Sequence, residues 1–63
     1  MHDPHLARWI RAEIDRTSMR RVAERLGQHH QTVARYIADL ASAACAARIE
    51  RRARELGWTG GDR

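Results

Sequence analysis

Cys45 is the only cysteine in a chain of 63 residues, so no disulfide within the chain can hold the fold together. A domain of this size buries only about 60% of the surface its unfolded chain exposes, which leaves it marginally stable. Such chains fall back on a metal, a partner subunit or well-packed helices. The metal route is poorly supplied. His2 and His5 sit at i, i+3, and His29 and His30 are neighbours that point about 100° apart on a helix. No Cys-x-x-Cys or His-x-x-x-His spacing occurs, so no structural metal is expected. Helix packing and self-association remain, and an isolated cysteine in an Ala-rich stretch reads as a small apolar residue.

The apolar spacing fits helices throughout, and nothing shows the period-2 alternation of a strand. Asp3-Pro4 opens a first helix, with Asp3 as cap and Pro4 at the first helical position, where its missing donor is not needed. Leu6, Ile10 and Ile14 then recur on one face, flanked by Trp9. Ser18 offers the next cap. Met19, Val22, Ala23 and Leu26 follow the i, i+3, i+4, i+7 template of a second helix, which Gly27 stops. A third helix starts near His29 or His30, with Val33, Ile37 and Leu40 as its apolar stripe. Beyond Leu40 the chain is Ala-rich up to Gly57, and Cys45, Ile49, Ala53 and Leu56 are out of phase with the earlier stripe. Either the third helix runs on, or Ser42 caps a separate or kinked fourth helix, the reading slightly preferred. Gly57 fits the position after a helix end, with Trp58 folding back onto the last turn. The fold class expected is all-α: one small domain of three or four helices over residues 1–58, with or without a long C-terminal dimerisation helix, and a flexible tail at 59–63.

The chain carries 12 Arg, no Lys, and 8 Asp plus Glu, for a net charge of +4. The guanidinium fork suits phosphate oxygens. A GC-rich genome, which favours Arg and Ala codons, accounts for the same bias, yet a basic surface attracts polyanions whatever its origin. No apolar run is long enough for a membrane span and no signal-peptide core is visible, so a soluble cytoplasmic protein is expected. There is no nucleophile–base pair, no phosphate-cradling Gly-rich loop and no enclosed carboxylate pair. Neither an enzyme nor a cofactor is expected.

The stretch from Ser18 to Leu40 is the most informative. Ala23 is small where two helices would cross, Gly27 makes a left-handed turn, and Val22, Leu26, Val33 and Ile37 fill a shared core. In Val22-Ala23, Leu26-Gly27, Thr32-Val33 and Tyr36-Ile37 the chain resembles the helix-turn-helix of small bacterial and phage repressors, resolvase tails and Fis-type proteins. The resemblance covers about 20 residues. Gln28 departs from the pattern, which commonly has a small aliphatic residue there. The resemblance implies double-stranded DNA as partner, with the third helix in the major groove. It implies base-edge contacts from His29, His30, Gln31 and Arg35. It implies phosphate contacts from Thr32, Tyr36, Ser18, Arg20 and Arg21, the last three where a helix N-terminus favours an anion. Bland alternatives stand beside these: a solvated face for Arg20, Arg21 and Arg25, and a core position for Tyr36. Ile49, Ala53 and Leu56 form the expected seam of a homodimer reading two half-sites, the other option being a basic arm along phosphates. A small transcriptional regulator of a phage or mobile element is the leading expectation. An architectural or recombination factor and a helical protein-interaction module are the alternatives.

Overall fold

The computed structural model describes residues 3–59. Among them are four helices and no strand: α1 (Pro4–Arg16), α2 (Met19–Leu26), α3 (His30–Ile37) and α4 (Ala43–Glu55). His2 and residues 60–63 of the expected tail lie outside the described residues. No helix among those described is long and apolar enough to cross a membrane.

Each helix opens on a side-chain cap that satisfies an otherwise orphaned N–H. Asp3 accepts from the His5 amide at 2.8 Å, and Pro4 stands at the first position. Ser18 Oγ accepts from Arg21 N–H at 3.1 Å, and Ser42 Oγ from Cys45 N–H at 3.2 Å. Ser42 thus begins a separate fourth helix and the third does not continue. The cap of α3 is His29, whose Nδ1 accepts from Gln31 N–H at 3.2 Å.

Three helices end in the same way. At Gly27, with φ 68°, the amides of Gly27 and Gln28 return to the carbonyls of Glu24 and Ala23. At Gly57, with φ 114°, the amides of Gly57 and Trp58 return to Arg54 and Ala53. This is the paired-bond termination that a left-handed residue permits. The end of α3 copies it without glycine. Asp39 takes φ 64°, and the amides of Asp39 and Leu40 return to Tyr36 and Arg35. Aspartate is among the few side chains that tolerate this region. The early stop at Ile37 turns Leu40 out of the stripe expected of it: Leu40 is 74% exposed, the single large exposed apolar side chain among the described residues.

The core is one cluster. Leu6 and Ile10 of α1, Val22, Ala23 and Leu26 of α2, and Val33 and Tyr36 of α3 meet Ile49, Ala53 and Trp58. Ile14, Trp9, Met19, Ile37 and Leu56 pack at its margin. α2 and α3 pack against each other, α1 lies across both, and α4 closes over both. The Arg52 guanidinium also donates to the Arg25 carbonyl at 2.9 Å, tying α4 to the last turn of α2.

This arrangement corrects the dimer seam. Ile49 and Ala53 are fully buried inside the single chain and Leu56 is half-buried against the same core. A domain this small needs most of its apolar side chains for one core, and the stripe of α4 goes there.

Candidate nucleic-acid interface

α2 and α3 pack against each other and leave exposed polar side chains on both. Because Val33 and Tyr36 point inward, the opposite face of α3 presents His30, Gln31, Ala34 and Arg35 to solvent, and His29 stands exposed at its start. Thr32 is half-buried on the flank. Arg20 and Arg21 are exposed in the first turn of α2, just after exposed Ser18. The two helices meet at a shallow depression of about 280 Å3 lined by Arg20, Ala23, Glu24, Gln28, His29 and His30. The first turn of α2 and the start of α3 therefore border the same surface.

Carboxylates take up four of the eleven described arginines. Arg25 is engaged by Glu13 at 3.3 Å, and Glu13 also holds Arg16 at 2.8 Å. Arg52 pairs with Glu55 at 2.7 Å, and Arg54 reaches Glu50 at 4.0 Å while lying over the Trp58 ring. Arg20, Arg21 and Arg35 enter no ion pair among the described residues, and neither do exposed Arg8 and Arg11 on α1 or Arg48 and Arg51 on α4. The three unpaired guanidinium groups on α2 and α3, with their donors open to solvent, suit phosphates or base edges. Arg25, grouped with Arg20 and Arg21 by sequence, belongs instead to the ties between helices.

The His29 and His30 rings stack, with centroids 4.4 Å apart and planes 28° from parallel. With its Nδ1 occupied by the cap on Gln31, His29 offers only Nε2–H outward. His30 keeps both ring nitrogens available. Among the described residues no three His, Cys, Asp or Glu side chains converge as metal ligands.

Tyr36 is a correction. Expected at a phosphate, its side chain is wholly buried in the core, so the phenol cannot reach a ligand on the surface. Burial pushes its pKa up to about 12, the Asp3 backbone amide works against that rise, and the nearby carboxylates of Glu50, Asp3 and Asp39 add to it. Of the remaining candidates, Arg20, His29 and His30 border one depression, Ser18 and Arg21 are exposed at the start of α2, Gln31 and Arg35 are exposed on α3, and Thr32 is half-buried.

Two further residues of this surface are not singled out by the helix-turn-helix resemblance. Ala34 lies one turn after His30 in the middle of the exposed face, where a small side chain lets the helix backbone approach a partner closely. Glu24 lies one turn after Arg20 and is the only carboxylate between Ser18 and Ala38. Helical phase alone places both, since each is four residues from a residue already assigned to the face. No protein-family model, curated protein or solved structure matches the chain.

Proposed function

We propose that the chain binds double-stranded DNA in a sequence-dependent way, laying the exposed face of α3 in the major groove and setting the first turn of α2 against a phosphate. The observation that carries this reading is the shared surface of α2 and α3. Arg20 and His30 border one depression there, and unpaired Arg21 and Arg35, with Gln31 and Ala34, are exposed on the same two helices. Arg and Gln have bidentate matches on guanine and adenine, and a major groove is wide enough to admit a helix. Such a surface acts by occupying a site, as that of a small cytoplasmic repressor of transcription does. Specificity from so few side chains favours two copies on neighbouring half-sites about one helical turn apart. Their contact then lies elsewhere than Ile49 and Ala53.

The test is a titration of random-sequence and source-genome duplexes at about 50 and 200 mM salt, with Arg35→Ala alongside. Neutralised phosphates release counterions, so log affinity should fall against log salt with a slope near −0.9 per phosphate contact. Wild-type protein should prefer some fragments, and Arg35→Ala should lose the preference while keeping weak general binding. Absence of any binding at 50 mM salt would overturn the reading.

A further inference from the structure

We infer that Glu24 is a specificity-determining residue of this surface, accepting the exocyclic amino group of a cytosine and weakening binding to every sequence that lacks one there. The inference rests on the DNA-binding reading. Glu24 is exposed, and it borders the same depression as Arg20, His29 and His30. Among the described residues it has no ion-pair partner, although Arg20 lies at i−4 and Arg21 at i−3. The order explains this: an arginine N-terminal to its glutamate is the weaker orientation for an i, i+4 pair. The carboxylate is left with its acceptors open.

Beside phosphates such a group is unfavourable on its own. It repels them over a screening length of about 8 Å at physiological salt, so it lowers sequence-independent affinity. It offsets that loss only where the duplex presents a donor. An ionised carboxylate accepts and never donates. Adenine places its amino donor next to the N7 acceptor, which a carboxylate opposes, and guanine and thymine present acceptors. Cytosine presents the N4 amino donor alone. The chemistry selects a C·G pair at the position Glu24 faces.

The experiment compares wild type with Glu24→Gln and Glu24→Ala, first by selection from randomised duplexes, then by affinity for the best and for random fragments at about 50 mM salt. Thermal melts check that both variants fold as the wild type does, as expected for an exposed, unpaired side chain. Wild type should select cytosine at one fixed position. Both variants should bind random DNA several-fold more tightly and lose about tenfold of the preference at that position, with Glu24→Gln turning toward adenine. A wild type that binds selectively while both variants keep the same preferences overturns the role of Glu24 and leaves the DNA reading standing. An equal gain on all fragments with no change in selected bases shows a repulsive charge only and also overturns it. A wild type that binds no DNA removes both readings together.

Discussion

Tyr36 is the largest of the wholly buried side chains and the only tyrosine in the chain. Its phenol is held neutral chiefly by burial, with a pKa of about 12 against an ordinary 10.0. The sign of the consequence is fixed by linkage. The unfolded chain releases the proton near pH 10 and the folded chain does so only near 12, so the stabilisation is complete below pH 10 and is lost as pH rises through that interval. Two units correspond to a loss of about 3 kcal/mol at most. Denaturant melts from neutral pH to about 12 should show wild-type stability falling relative to Tyr36→Phe, and tyrosinate absorbance, which reports this one residue, should rise together with unfolding. Parallel profiles for the two proteins would show that the phenol is not held neutral by the fold. Gly27 makes a second test at this scale. A Cβ built there meets nothing within 4 Å, so Gly27→Ala suffers from its φ of 68° alone. The expected cost is about 1 kcal/mol, read from the same melts. A neutral substitution would mean that the turn between α2 and α3 relaxes.

At the scale of the helices, α4 decides whether the fold is one chain's work. Ile49 is fully buried among residues of the same chain. Ile49→Val should therefore cost about 1 kcal/mol, with a melting temperature that does not move with protein concentration. Melting that shifts upward with concentration, and a variant that abolishes the shift, would restore Ile49 to an intermolecular seam. The helices themselves were legible because their ends are written in local chemistry: Asp3-Pro4, Ser18, Gly27, Ser42 and Gly57 each act on backbone groups within a few residues. The end of α3 was not, because Asp39 adopts a glycine-like conformation without a glycine, and the stripe Val33, Ile37, Leu40 read straight through it. Tyr36 and the stripe of α4 failed for another reason. Helical phase places Tyr36 near the edge of the face carrying Val33 and Ile37, and only the packing of α1 across α3 settles that it points inward. An apolar stripe announces burial without saying against which chain. The candidate surface was legible in its arginines and in the start of α3. Glu24 and Ala34 are not legible there, because one has the same sign of charge as the ligand expected and the other has almost no side chain.

At the scale of the whole molecule, the arginines divide between holding the helices together and facing outward, and two histidines stand beside the outward group at the start of α3. The two histidines of the candidate surface have different work. His29 caps α3, its Nδ1 accepting from Gln31 N–H, and its ring stacks on His30 with centroids 4.4 Å apart. His30 supplies no cap, and it shares its depression with the carboxylate of Glu24 and the guanidinium of Arg20. His30→Gln should therefore leave thermal stability unchanged and alter affinity for the selected duplex, whereas His29→Ala should cost about 1 kcal/mol of stability through the lost cap. Melts and duplex titrations at one fixed pH and ionic strength check both. Equal stability in the two variants would mean that the Nδ1 cap contributes nothing to α3. Unchanged affinity in both would remove the histidines from binding and leave the exposed arginines to account for it.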